Sequence, residues 1–143
     1  MDDTKLIELL KEHEGCERFA YSDSLGYVTI GIGRCLDRRK GKGITPTEAI
    51  YLLQNDISDC KYELEKFKWY QIQDDVRKCA LIELTFNLGI SGLLGFKNML
   101  VSLQQKDYIQ AKNDLLESRW SSQVGSRRAD NIAYRIEHGC YPT

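Results

Sequence analysis

No stretch of this 143-residue chain is apolar for long enough to cross a bilayer; residues 28–32, among the longest apolar runs, are interrupted by Thr29 and Gly31. Only two prolines are present, both outside any low-complexity run. The opening Met-Asp-Asp-Thr-Lys carries two acids where an export signal has basic residues followed by a hydrophobic run. The expectation is therefore synthesis in a cytoplasm, without an export signal and without stable membrane insertion. The five cysteines, Cys16, Cys35, Cys60, Cys79 and Cys140, are odd in number and lack any C-x-x-C or Cys/His ligand spacing. Neither a disulfide framework nor a metal site is written in them, and they read as buried or incidental reduced thiols. An excess of charge is missing too: the net value of -1 exerts no general pull on nucleic acid or an anionic wall. The local cluster Arg38, Arg39, Lys40 and Lys42 reads as a solvated loop.

What remains is the composition of a globular protein, 42% hydrophobic and 29% charged, in one fold that can still divide into two lobes. Residues 3 to about 12 form a short amphipathic helix, since Leu6, Leu9, Leu10 and His13 recur at three- and four-residue steps, and Gly15 ends it. From 18 to 32 the period falls to two. Tyr27, Thr29 and Gly31 share one face, and Val28, Ile30 and Ile32 the other, with residues 22–26 as the turn of a β-hairpin or meander. The aliphatic face is expected to cover a core, leaving Thr29 pointing into a groove. Residues 35–44, rich in Gly, Lys and Arg, read as a surface loop.

Thr45-Pro46-Thr47-Glu48 is a capping box with proline at the first helical position. Behind it Ala49, Leu53, Ile57, Cys60, Leu64 and Phe67 trace one stripe over roughly twenty residues, ~30 Å of helix and enough to connect two lobes. Shorter helices follow over 74–88 (stopped by Gly89), 95–105, 107 to about 118, and 126–138 (stopped by Gly139). A small β-containing lobe followed by a helical lobe makes an α+β fold.

Cleavage of a glycosidic bond requires an acid for the leaving oxygen and a second carboxylate on the other side of the sugar. Glu14, ending the first helix, and Asp23, in the hairpin turn, are candidates for that pair, and the hydroxyl of Thr29 can hold a water. Each residue also has a purely structural reading: Glu14 in the helix dipole, Asp23 in an Asx-turn, Thr29 as a strand residue.

The sequence resembles the phage lysozymes, the endolysins of the T-even phage type. The resemblance rests on Glu14 in His13-Glu14-Gly15, Asp23 in Tyr21-Ser22-Asp23, and Thr29 within Gly-Tyr-Val-Thr-Ile-Gly-Ile-Gly at 26–33. It continues through 45–49, 80–82, 86–89, 95–98, 103–106 and 118–120, nearly the whole chain. It implies a single lysozyme domain over 1–143, with a β-containing lobe of about 13–60, a helical lobe of 1–12 plus about 61–143, and a cleft between them. It further implies hydrolysis of the β-1,4 bond between N-acetylmuramic acid and N-acetylglucosamine without metal or organic cofactor. Glu14 is then the general acid, and Asp23 the base acting on a water positioned by Thr29. Cys35, Phe86, Asn87, Asn98 and Arg128 form a substrate-binding shell in which Arg128 pairs with Glu14. The implied partner is peptidoglycan, met by a monomer after release from the host cytoplasm through a holin-type pore.

The chain departs from the family pattern at several points. Arg34 stands where those lysozymes have a histidine in an ion pair, Cys35 replaces a leucine that touches substrate, Met99 and Asp114 replace a serine and an asparagine, and the loop before the long helix is shorter. The net charge is near neutral where those relatives are strongly basic. A lytic transglycosylase, needing Glu14 but neither Asp23 nor Thr29, is the alternative enzyme reading. A catalytically inactive wall-binding or virion-structural module is the alternative from another class, and nucleic-acid binding is disfavoured by the charge and the absence of a binding motif.

Overall fold

The computed structural model describes residues 2–143. Its elements run in the order α1 (Thr4–Glu14), β1 (Glu17–Ser22), β2 (Val28–Gly31), β3 (Arg34–Cys35), α2 (Pro46–Leu64), α3 (Lys68–Gln71), α4 (Asp75–Leu94), α5 (Lys97–Gln104), α6 (Tyr108–Leu116), α7 (Arg119–Val124) and α8 (Ser126–His138). This is the α+β class read from the sequence. The chain divides into two compact units, one up to Leu52 and one of Leu53–Thr143, with the border inside α2.

The first unit carries an antiparallel sheet of order β1-β2-β3. Tyr21 lies opposite Thr29 and Ser22 opposite Val28, while Thr29 and Ile30 face Cys35 and Arg34 on the other side. β3 occupies the start of the stretch read as a loop from Cys35 onward. Gly31 and Gly33 have φ of 67° and 71°, a left-handed backbone that lets the chain reverse within three residues and lay Arg34 beside Ile30. The alternation of burial runs opposite to the sequence expectation: Thr29 is 5% exposed, whereas Val28 and Ile32 are each 40% exposed. Periodicity separates two faces of a strand without saying which is covered. Here the cross-strand neighbours Tyr21 and Cys35 flank the short Thr29 side chain on the central strand.

The capping box forms as read. The Thr45 amide donates to Glu48 Oε1 (2.9 Å), and the Glu48 amide donates to Thr45 Oγ1 (3.1 Å). The same Glu48 Oε1 accepts from Arg34 Nη1 (2.7 Å), which also reaches the Gly43 carbonyl (3.2 Å). Arg34 thus has an ion pair of its own where the family has its histidine. Arg34 first, and then the Thr45 amide, hold the Glu48 carboxyl down at about 2 against an ordinary 4.5. Along the α2 stripe Leu64 is buried, Ile57 and Cys60 are half-buried, and Ala49 and Leu53 are exposed.

The second unit holds the core. Leu81, Leu84, Leu103, Leu115, Ile132 and Ile136 are all fully buried. The buried Ala129, Ile132, Ala133 and Ile136 recur along one side of α8, an apolar stripe that faces the core. The backbone of α4 breaks at Gly89 (φ 74°, ψ 164°), the residue read as a stop, and resumes to Leu94. Gly139 closes α8 in the left-handed region, as expected. Two short helices, α3 and α7, had no signal because four and six residues are too few to show a period. No single helix among the described residues is long and apolar enough to cross a membrane.

Two polar hubs tie the helices together. Gln73, 6% exposed, donates to the Trp69 (2.7 Å) and Leu103 (3.0 Å) carbonyls and accepts from the Tyr108 hydroxyl (2.7 Å). Arg77 donates to the Ile136 (2.6 Å) and Glu137 (2.7 Å) carbonyls at the end of α8, pairs with Asp74 (2.7 Å), and lies 3.4 Å from the centre of the Tyr108 ring. It satisfies carbonyls that a helix C-terminus leaves without partners.

Replacing Arg77 by Met strands those carbonyls, and a loss of about 3 kcal/mol is expected, a fall of ~10 °C in a thermal melt. A change under about 0.5 kcal/mol would show that water replaces the guanidinium without cost. Glu48 generates a pH prediction. Its folded value is depressed, so its contribution is present above about 4.5 and lost as pH falls through about 2. The melting temperature of wild type should drop across that window, and Glu48→Gln should flatten the drop.

Candidate active site

The three candidate catalytic residues come from consecutive elements of the first unit. Glu14 is the last residue of α1, where Gly15 (φ 80°) turns the chain toward β1 and its amide closes the helix on the Lys11 carbonyl at 3.0 Å. Glu14 is exposed, and its carboxylate lies over the β2–β3 turn. A Cβ built on Gly33 would come within 2.9 Å of Glu14 Oε2 and 3.2 Å of its Cδ. The positive φ calls for glycine, and a side chain there would make the flexible end of Glu14 shift from this position.

Asp23 folds the β1–β2 turn around itself. Its Oδ1 accepts the amides of Leu25 (2.9 Å) and Tyr27 (2.8 Å), its own amide donates to the Tyr27 carbonyl (2.9 Å), and its carbonyl accepts the Gly26 amide (3.0 Å). The Asx-turn reading is thus correct, and it leaves Oδ2 with no hydrogen bond from the described residues. Thr29 donates its hydroxyl proton to the Tyr27 carbonyl (2.9 Å). The lone pairs of that oxygen remain to receive a hydrogen bond.

Cys35 lies on β3, half-buried and opposite Thr29. Cys60 is half-buried as well, and Cys16, Cys79 and Cys140 are exposed, so of the two readings, buried or incidental free thiols, the five fit the second.

The remaining candidates belong to the second unit. Phe86 is 48% exposed on α4, and the next residue, Asn87, accepts the Trp120 indole N–H on Oδ1 (2.8 Å). Asn98 is exposed at the start of α5 and borders a groove of about 450 Å³ with Phe96, Lys97, Met99, Asp114 and Glu117. Phe86 and Asn87 do not line that groove. Met99, 1% exposed, belongs to the core, whereas Asp114 is held by Ser102 Oγ (3.1 Å) and Gln110 Nε2 (2.9 Å). Arg128 donates from Nε to Glu83 Oε2 (3.1 Å), and the other oxygen of Glu83 accepts from Arg135 Nη2 (2.5 Å). Sequence reading missed Glu83, whose only local signal is that it precedes Phe86 and Asn87 by one helical turn. Its partners are 45 and 52 positions away.

A profile of the phage lysozyme family matches residues 11–135. The chain belongs to the phage lysozyme family. Probable T4-type lysozyme 1 of Dictyostelium discoideum is 27% identical over 163 residues, covering 95% of both chains. The endolysin of Salmonella phage P22 is 35% identical over 118 residues, 77% of each chain. The pre-baseplate central spike protein Gp5 of Enterobacteria phage T4 is 26% identical over 148 residues, 85% of this chain but 26% of the spike protein. As a phage lysozyme the chain is a glycoside hydrolase.

Gly33→Ala tests the contact between the β2–β3 turn and Glu14. The added methyl must displace the carboxylate, and the positive φ adds about 1–2 kcal/mol of backbone strain. Muramidase activity should fall far more than that destabilisation explains, measured at a temperature where the variant is folded. Full activity in a folded variant would show that the position of this carboxylate does not matter.

Proposed function

We propose that the chain hydrolyses the β-1,4 bond between N-acetylmuramic acid and N-acetylglucosamine in bacterial peptidoglycan, with Glu14 as general acid and Asp23 as base on a water held by Thr29. The observation that carries the reading is the state of Asp23: one oxygen is fixed by two backbone amides and the other receives nothing from the described residues. A water donating one hydrogen to that free oxygen and the other to the Thr29 lone pairs has its own lone pair left for the anomeric carbon. Glu14 protonates the leaving oxygen, and the bond breaks as the Asp23 carboxylate takes the water's proton.

Inversion belongs to the same reading. Glu14 lies over the turn after β2 and Asp23 in the turn before it, at opposite ends of a strand of four residues. Inverting enzymes keep their carboxyls roughly 6.5–9.5 Å apart to admit a water, against about 5 Å for direct attack by a nucleophile.

Substrate contacts from Cys35, Phe86, Asn87, Asn98 and Arg128 belong to the same proposal. Asn87 has its oxygen taken by Trp120, so its amide N–H groups remain to meet an acceptor such as an N-acetyl carbonyl. Phe86 presents half of its ring, suited to the apolar face of a sugar. The proposal extends to a monomer made in the host cytoplasm that reaches the wall through a holin-type pore. Its lobes are about 13–60, and 1–12 with about 61–143.

Reducing-end release from purified peptidoglycan tests the assignment. Glu14→Gln should lower the rate by about 10³-fold and Asp23→Asn by about 10²-fold or more, with melting temperatures near wild type. Thr29→Ala should cost about tenfold, because neighbours can hold part of the water's position. Full activity in either carboxylate variant refutes the site. Mass spectra of the digest dominated by anhydro-muramic ends refute hydrolysis in favour of the transglycosylase.

A further inference from the structure

The basic loop read as solvated is anchored on the turn that carries Asp23. Arg39 grips Asp37 with both prongs, Nε to Oδ1 (2.8 Å) and Nη2 to Oδ2 (2.7 Å). The same Nη2 donates to the Gly26 carbonyl (3.2 Å), and the guanidinium carbon lies 5.0 Å from the centre of the Tyr27 ring, with Lys40 Nζ at 5.2 Å. Asp37 in turn accepts the Arg39 amide (3.0 Å) and reaches the Val28 amide (3.5 Å) at the start of β2.

One peptide group joins this network to the active site. The carbonyl of Gly26 and the amide of Tyr27 belong to the same peptide unit. Its oxygen receives the Arg39 guanidinium, and its N–H donates to Asp23 Oδ1 (2.8 Å). A cation on the oxygen draws electron density across the amide and strengthens the bond that its N–H makes. The ring contact restrains the same unit from the side.

We propose that Arg39, held by Asp37, is a positioning residue for Asp23, acting through the Gly26–Tyr27 peptide to keep Oδ1 fixed and Oδ2 directed at the water. The inference rests on Asp23 being the base. The mutual pairing supports it: the Arg39 side chain, bonded to Asp37, holds that carboxyl well below the usual carboxylate range, and Arg39 is itself raised. With its side chain 67% exposed, Arg39 adds little to global stability, so its removal should act on the turn alone.

The test compares Arg39→Met, Arg39→Lys and Asp23→Asn with wild type in kcat and KM on solubilised peptidoglycan, hydrogen exchange at the Tyr27 amide, and melting temperature. Arg39→Met should lower kcat about tenfold with KM within about twofold, and Tyr27 should exchange faster while core amides do not change. Arg39→Lys keeps a cation for the Gly26 carbonyl and should recover part of kcat. An unchanged kcat in Arg39→Met overturns the proposal. So does a loss that follows the melting temperature, moves kcat and KM together, and is as large in the lysine variant. If Asp23→Asn keeps full activity, the assignment of the base itself has failed, and unchanged Tyr27 exchange in Arg39→Met would refute the peptide relay separately.

Discussion

The carboxylate of Asp23 organises the first unit before it can do any chemistry. By accepting two amides of its own turn it fixes where β1 ends and β2 begins, and with that the register that places Tyr21 opposite Thr29. A slip of one residue would carry every side chain of β2 to the other face and remove Thr29 from its covered position. The structural and functional readings of Asp23 are therefore complementary. Oδ1 builds the turn, and the fixed geometry leaves Oδ2 as an oriented acceptor.

The β2–β3 turn has a parallel logic. Gly31 and Gly33 are needed for their backbone conformation, yet the missing side chain of Gly33 also makes the space that Glu14 fills. Two turns at the ends of a four-residue strand thus hold the two carboxylates, one by accepting amides and one by leaving room. Neither device depends on a large hydrophobic core, which the first unit lacks: Thr29 is its one buried polar residue among those described, and every buried hydrophobic lies in the second unit. Precision here comes from backbone hydrogen bonds and positive-φ glycines, which do not require burial to be specific.

Features whose physics is local were legible in the sequence. The capping box at Thr45 involves atoms three residues apart, Gly139 ends its helix because only its own φ is at stake, and the turn around Asp23 closes within five residues. Gly89 was legible as a break, but the return of helix to Leu94 was not, because that segment is held by core packing rather than by a cap. The covered face of β2 was not legible, since alternation has no sign until a neighbour covers one side, and the face that carries Thr29 is the covered one rather than the open one expected. Long-range electrostatics were the least accessible. Nothing near Arg128 in the sequence indicates Glu83, nor does anything near Arg39 indicate the Gly26 carbonyl.

The departures from the family pattern become intelligible through the same distinction between local and distant partners. Replacing a histidine by Arg34 would leave a cation beside the sheet unless an acid met it, and the acid that does so is Glu48, already committed to capping α2. One carboxylate oxygen then serves the helix start and the β3 strand together, so the sheet and the long helix share a charge rather than each having its own. Arg39 and Asp37 extend that arrangement to the Asp23 turn. A chain with a net charge of only -1 has placed its unlike charges as short contacts at the places where its turns need holding, instead of carrying an excess of one sign for attraction at long range.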